Sequence, residues 1–564
     1  MEGIGLDIII VLATAIVGGM LARLLRMPIL LGYLVGGIAI GPYGFGLVGE
    51  MDTIHNMATI GVVLLLFTIG LEFSLKDVMR LGKIALLGGL SQVLLTAAVG
   101  LGLGSLIGFE FTEAVFFGFV IALSSTMVVL KLLMERGELD SGHGRVMIGI
   151  LLVQDLSVVP LMVIMPAIGA GLGGAELWVS LGVAGLKAVF FIIVMLVLGV
   201  WVLPWILGKI AAQRSHELFM LSVITLCLMA AFGTYYFGLS AAFGAFVAGL
   251  LISQSAFARQ ALADIVPLRD TFGALFFVSL GMLASLNFVV ENLSTIAIVV
   301  AVILVAKFII CSFIPLVFRH SYKTALFTGM GLVQIGEFSF VLAMMGVEAG
   351  IFSEYLYSLV IAAAIITMLL TPFNLNFASF IYRHLSQQER FARLFARRPE
   401  LDWKSRGLEM ARHAVICGYG RIGSRLATVL ERQKFSYLVI DLDPQVISRL
   451  RGGTVPCIYG DAANPEILAH AQLEKARVLI CTFPDFISVD LIVRNALKIN
   501  PKLDIVAVVG RDADAELLKG LGVSEVVQPH FEGGLEVIRH SLHRFGLSGT
   551  EIQYVLVGLR EGRL

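Results

Sequence analysis

The chain has 564 residues, 58% of them hydrophobic and only 15% charged, and its 41 basic and 41 acidic side chains cancel to a formal net charge of zero. A mean hydropathy of +0.92 excludes a soluble globular protein and points to a polytopic membrane protein. The balanced charge offers no basic surface for nucleic acid.

The apolar character stops near Phe380, so the sequence predicts a membrane part of about 380 residues and a soluble part of about 150. Met1-Glu2-Gly3-Ile4 has no basic n-region, and the first span is expected to be retained. Five cysteines (Cys227, Cys311, Cys417, Cys457, Cys481) lack C-x-x-C spacing and read as reduced thiols. Apolar runs of spanning length fall near 5–24, 28–43, 53–72, 82–107, 113–135, 143–168, 177–208, 215–237, 239–254, 268–286, 294–318, 323–346 and 353–381, thirteen in all. Basic residues such as Arg23, Arg26, Lys76, Arg80, Arg136, Arg145, Lys209, Arg214, Arg259, Arg269, Arg319 and Lys323 collect in alternate loops or at the span ends beside them. The other loops hold acids such as Glu50, Glu110, Glu176, Glu291 and Glu348. The positive-inside rule then puts the N-terminus outside and the C-terminus inside the cytoplasmic membrane.

Within this apolar chain a few polar groups stand out. Span five carries Ser124-Ser125-Thr126, and span twelve carries Gly331-Leu332-Val333-Gln334-Ile335-Gly336-Glu337. Interruptions of this kind mark discontinuous helices that expose backbone groups at mid-membrane; close packing through small residues is the alternative. Spans five and twelve are the fifth members of two six-span sets. The intervening seventh span gives the sets opposite orientation, an inverted repeat. Span six places Gln154 and Asp155 near its centre. A charge at that depth costs at least ~2.5–3.5 kcal/mol, so it needs a partner, a cavity or a proton, and such acids mostly lie on ion or proton paths. Lys307 is buried in Val-Ala-Lys-Phe-Ile-Ile at the middle of span eleven, where it can pair with a carboxylate or lose its proton. Lys187, nearer the outer end of span seven, reads as a snorkelling or linker residue.

Residues 391–412 are charged and fit a linker along the inner membrane surface. After them, His413-Ala-Val-Ile-Cys-Gly-Tyr-Gly-Arg-Ile-Gly423 reads as strand, tight turn and helix start. Gly418, Gly420 and Gly423 match G-x-G-x-x-G, and a second strand ends at Asp441, eighteen residues after Gly423. The combination is a dinucleotide-type fingerprint: glycine backbone N–H groups approach a phosphate at the helix N-terminus. Arg421 is placed near the phosphates. Asp441 accepts from both ribose hydroxyls and repels a 2′-phosphate, so AMP, NAD(H) or ATP fits better than NADP. Further βα units follow at Val455–Ile458, Val478–Cys481, Ile505–Val509 and Val526-Val527. Asp461, just past the third strand, is expected near the adenine, or else serves as a helix cap. The tail from Phe531 has helical spacing.

Thirteen spans, Gln154-Asp155, Lys307, the interruptions in spans five and twelve, and a trailing nucleotide fold together resemble the monovalent cation:proton antiporter-2 family. The closest likeness is to its Kef-type potassium efflux branch. The resemblance implies a polytopic α-helical membrane protein with inverted repeats and crossed discontinuous helices. To this it adds a C-terminal α/β Rossmann-like domain of the RCK or TrkA-N type. The expected divisions are 1–382, a linker at 383–411, the nucleotide domain at 412–530 and a helical tail at 531–564. It implies potassium:proton antiport by a homodimer, with no enzyme activity and no metal beyond the transported monovalent cation. Asp155 would be the carrier, and Ser124, Ser125, Thr126, Gln154, Lys307, Gln334 and Glu337 would line the path. Sodium members carry two acids in span six, the first of them paired with the span-eleven lysine; with Gln154 in that place, Lys307 lacks that partner. Gating by an adenine nucleotide is implied, with glutathione read at Arg511 past the fifth strand. The gating loop between spans nine and ten keeps one acid, Asp264.

Three other readings compete. A sodium:proton antiporter of the same fold differs only in cavity geometry. An RCK-gated potassium channel needs a T-V-G-Y-G-like filter, and Gly418-Tyr419-Gly420 belongs to the nucleotide fold instead. A membrane-anchored dehydrogenase would need an acid–base pair over a nicotinamide, which the soluble part does not supply.

Overall fold

A computed structural model describes residues 2–25, 27–48, 51–72, 83–139, 141–169, scattered positions between 179 and 213, 215–237, 240–255, 257–283, 286–386, 410–451, 455–483, 485–510 and 512–560. Among them, eight helices are long and apolar enough to cross a membrane, and three shorter apolar helices accompany them. In chain order the helices of this part are α1 (Glu2–Leu24), α2 (Ile29–Ile40), α3 (Met51–Glu72), α4 (Gly89–Ile107), α5 (Phe111–Ala122), α6 (Thr126–Arg136) and α7 (Gly142–Gly169). They continue as α8 (His216–Tyr236), α9 (Ala241–Ser253), α10 (Ala258–Leu283), α11 (Leu286–Glu291), α12 (Leu293–Val317), α13 (Tyr322–Gly331), α14 (Glu337–Glu348) and α15 (Glu354–Ser386). A five-residue π segment, Ile84–Gly88, precedes α4. Most of the expected seventh span lies outside the described residues, and Lys187 is exposed.

The interrupted spans are interrupted as the sequence suggests. Span five divides into α5 and α6, because Leu123 turns extended (φ −73°, ψ 144°) and Ser125 Oγ accepts the Val128 N–H to start a new helix. Span twelve divides into α13 and α14, with Gly336 extended (φ −93°, ψ 172°) at the second start. The two breaks touch: the Gly336 N–H donates to the Leu123 carbonyl at 3.0 Å, and Ser124 Oγ donates to the Leu332 carbonyl at 2.9 Å.

One expectation needs correction. Residues 259–267 are not a connecting loop; they form the first turns of α10, which runs through Pro267. Asp264 therefore lies on a helix, buried, with Gln260 Nε2 donating to it at 2.8 Å. A proline followed by Arg269 and Asp270 looks like a break, yet an amphipathic start to a long helix accommodates them.

The soluble part is a six-stranded, wholly parallel sheet of order β3-β2-β1-β4-β5-β6. Its strands are β1 (Ala414–Cys417), β2 (Tyr437–Asp441), β3 (Cys457–Tyr459), β4 (Val478–Cys481), β5 (Asp504–Val508) and β6 (Glu525–Val527). Its helices are α16 (Arg421–Arg432), α17 (Pro444–Arg451), α18 (Pro465–His470), α19 (Phe486–Ile499), α20 (Asp512–Gly520), α21 (Pro529–Arg544) and α22 (Gly549–Arg560). All residues of β1 are buried, as a strand covered on both faces requires. β3 begins later than Val455 because Pro456 has no N–H to give the ladder. All five cysteines are buried and outside any disulfide.

The chain divides into two compact units. One comprises Met1–Lys131, Val146–Pro315 and Thr328–Leu375; the other comprises Leu132–Arg145, Leu316–Phe327 and Asn376–Leu564. The sheet thus belongs to one unit with the ends of helices α6, α7, α12, α13 and α15.

The contact between the breaks generates a test. A Cβ on Gly336 would lie 2.6 Å from the Ser124 carbonyl carbon and oxygen and 3.0 Å from the Ser125 nitrogen, all backbone atoms. Gly336→Ala is expected to cost about 1–3 kcal/mol through overpacking, seen as a lower Tm of the purified protein. An unchanged Tm would contradict the close approach.

Candidate functional site

Asp155 sits on α7 beside the start of α6, where Thr126 Oγ1 donates to its Oδ2 at 2.9 Å. Both side chains are half-buried, so the carboxylate is reachable although its surroundings are apolar. A second acid shares the place. Glu337 opens α14, is buried, and takes hydrogen bonds from the Ser125 hydroxyl and from the backbone of Met127 and of Glu337 itself. Among the described residues, Glu337 Oε2 and both polar atoms of the fully buried Gln334 amide have no hydrogen-bond partner. Buried polar atoms without partners cost about 1–3 kcal/mol each, which suits groups that meet a ligand.

Ser124 and Gln154, expected to line the path, have their polar groups engaged elsewhere. The Ser124 N–H donates to Gln154 Oε1 at 2.8 Å, and Gln154 Nε2 donates to Gln92 Oε1 at 2.6 Å. Gln92 Nε2 in turn donates to Thr96 Oγ1 and to the Ala122 carbonyl. Gln92 on α4 is fully buried. The sequence signal that could have found it is a lone amide inside an apolar span.

Lys307 on α12 is fully buried. Its ammonium donates to the carbonyls of Ile121 (3.0 Å), Leu123 (2.9 Å) and Gln334 (2.8 Å), which belong to both breaks. Three donors meet three acceptors that the breaks leave without helical partners.

In the sheet unit, Gly418 has φ +93°, a conformation that favours glycine, and a Cβ there would strike the Phe483 ring at 2.8 Å. A Cβ on Gly423 would lie 2.0 Å from the Gly418 carbonyl oxygen, while Gly420, at the start of α16, has open space beside it. Arg421 is exposed in the first turn of α16. The Asp441 carboxylate is preset by the Tyr419 N–H (2.5 Å) and the Asp443 N–H (2.7 Å). Burial pushes the Asp441 carboxyl above the ordinary range against those two bonds. These features fit a phosphate at the glycine turn and a ribose at Asp441. Asp461 follows β3, accepts the Ala463 N–H as a turn residue, and takes the Tyr382 hydroxyl at 2.6 Å. Arg511 lies outside the described residues.

The same unit holds a buried cluster of charges that sequence reasoning missed. Lys323 donates to Asp485 and to Ser488. Burial opposes ionisation of Asp485, but the Lys323 and His143 charges and the hydrogen bonds with Lys323 and Ser488 together outweigh it and hold the carboxyl down at about 2. Glu138 accepts from Arg136 and bonds His143, each at 3.1 Å. Burial would raise its carboxyl, yet these partners keep it below the ordinary value.

A model of the family described as sodium/hydrogen exchanger, transmembrane, matches residues 10–379, and one for the TrkA-N domain matches residues 414–529. The chain is 35% identical over 522 residues to a protein of Escherichia coli strain K12 provisionally named cation/proton antiporter YbaL. That alignment covers 92% of this chain and 93% of the relative. It is 31% identical over 569 residues to a protein of Alkalimonas amylolytica provisionally named K(+) efflux antiporter KefB, covering 100% of this chain and 85% of that one. With K(+) efflux antiporter 4 of Arabidopsis thaliana it shares 33% identity over 368 residues, 65% of this chain and 62% of the relative.

The Lys307 geometry makes a prediction. Lys307→Met leaves three buried carbonyls without a donor, and stability is expected to fall by on the order of 3 kcal/mol or more. Thermal unfolding of the purified protein reads this. A variant as stable as wild type would show that the ammonium does not hold the breaks.

Proposed function

Because the chain belongs to the sodium/hydrogen exchanger family, in its Kef-type branch with a C-terminal TrkA-N domain, we propose that it is a secondary antiporter. It exchanges potassium for protons and is gated by a nucleotide bound to the sheet domain. The observation that carries this reading is a reachable carboxylate, Asp155, set where two helix breaks meet and bonded by Thr126.

Asp155 takes either a cation or a proton. One carboxylate serving both makes them compete, and competition yields coupled exchange once the site opens to alternate sides. The Thr126 hydroxyl, the Gln334 amide oxygen and the Ser125–Glu337 pair supply oxygen ligands of the kind a dehydrated monovalent cation needs. Ser124 and Gln154 hold the frame, and Lys307 stays protonated as part of it, which leaves the exchange electroneutral. Potassium as the cation is supported by relatives named for potassium efflux.

An adenine nucleotide binds across Gly418, Gly420, Arg421, Gly423 and Asp441, with Asp461 toward the base. AMP, NAD(H) and ATP all satisfy this set. Glutathione control rests on the Kef-type likeness and would be read at Arg511. The protein sits in the cytoplasmic membrane with its N-terminus outside, a placement supported by the loop charges. It works as a homodimer, supported by exposed Val537 on α21, Tyr554 on α22 and Phe545 in the turn between them.

Asp155→Asn keeps the side-chain size and loses the titration, so exchange in proteoliposomes is expected to vanish while the protein stays folded. Normal cation-driven proton flux in that variant would overturn Asp155 as carrier. Separately, Asp441→Ala is expected to weaken nucleotide binding by roughly 1–3 kcal/mol, the loss for hydrogen bonds to a charged group, measured by calorimetry with AMP and NADH.

A further inference from the structure

We propose that a bound nucleotide and Tyr382 compete for the Asp461 carboxylate, so that ligand binding releases the end of the last membrane helix. This rests on the nucleotide reading above and names the residue through which the ligand acts.

Tyr382 lies near the end of α15, is 3% exposed, and donates its hydroxyl to Asp461 Oδ2 at 2.6 Å. Asp461 Oδ1 already accepts the Ala463 N–H, so Oδ2 is the oxygen on which the phenol and any incoming donor converge. Its position just past β3 is the carboxyl edge of a parallel sheet, where ligands of such folds bind. A base amino group or a ribose hydroxyl seeking that oxygen meets the Tyr382 phenol already in place.

The surroundings show why the competition would be felt by the transporter. The Lys323 ammonium is 5.1 Å from the centre of the Tyr382 ring and 5.8 Å from that of Phe327, cation–π distances. Lys323 is itself anchored on Asp485 and Ser488 at the start of α19, and it belongs to α13, which leads into the break that holds Gln334. Arg136, at the end of α6, donates to Asn376 and Ser379 on α15. Arg145 is 3.9 Å from Asp443 and stands ten residues before Asp155 on α7. Tyr382 is therefore one element of a seat formed by the ends of the helices that carry the cation site. The Lys323–Asp485 pair keeps the seat attached when Tyr382 lets go. By linkage, whatever Tyr382 contributes to holding α15 must be repaid by the ligand, and the reverse.

The test uses full-length protein, wild type and Tyr382→Phe, with AMP and NADH as probes. Calorimetry in detergent gives the affinity, and proton flux in proteoliposomes with and without nucleotide gives the response. Phenylalanine keeps the ring and removes the competing hydroxyl, together with its bond to Ser488. Tyr382→Phe is expected to bind nucleotide at least threefold tighter and to lose most of the nucleotide-dependent change in flux. Binding within threefold of wild type, weaker binding, or an intact flux response overturns the competition while leaving nucleotide gating in place. No binding to wild type by either probe would instead remove the nucleotide reading itself, and this inference with it.

Discussion

The Lys307 ammonium and the three carbonyls it holds are the contact on which the membrane part depends. Lipid offers no water to a backbone group that loses its helical partner, and each orphan costs several kcal/mol. Two breaks meeting at mid-membrane are tolerable only if neighbouring side chains take over. Here they do: Lys307 serves Ile121, Leu123 and Gln334, Gln154 receives the Ser124 N–H, and Thr367 receives the Ile335 N–H. Ser339 adds a bond to the Val120 carbonyl. A buried lysine without a carboxylate partner is thus placed by acceptors, and its charge is matched by dipoles pointing at it.

That arrangement separates side chains whose hydrogen bonds are filled from side chains with capacity to spare. Gln92, Gln154, Ser124 and Lys307 have their donors and acceptors occupied by the frame. Asp155, Thr126, Glu337 and the Gln334 amide remain beside it, with partial access or unfilled hydrogen-bonding capacity. A cation shedding its water needs oxygen ligands that are held in place but not already engaged. Close approach makes the frame rigid. Gly37 and Gly281 let α2 meet α10, while Gly70 and Gly249 let α3 meet α9 at distances that would bring an added Cβ within 2.0–2.2 Å of a carbonyl oxygen.

Much of this was legible in the residues. Hydroxyl and glycine runs in two apolar spans pointed to the breaks, with packing through small residues as the competing reading. Asp155 was legible from cost alone, and the glycine turn with Asp441 from spacing. The structure added what spacing cannot carry. Gln92 acts across 62 positions of sequence on Gln154, and a single amide in an apolar run says nothing of its partner. Lys323 looked like one more basic residue at a span end, yet it is buried against Asp485, 162 positions away. Tyr382 carries no signal in the sequence, and its hydroxyl lies on Asp461, 79 positions away. Local pattern gives the elements and the charges that must be compensated; which distant group compensates them is a property of the packed chain.

The central claim is that Asp155 at the meeting breaks exchanges potassium for protons. Proton flux in proteoliposomes, driven in parallel by potassium, sodium and lithium gradients, tests it most directly. The account predicts proton movement opposite to potassium, larger than with sodium or lithium, and insensitive to membrane potential. Flux driven by sodium but not potassium, or potassium flux without counter-moving protons, would contradict it.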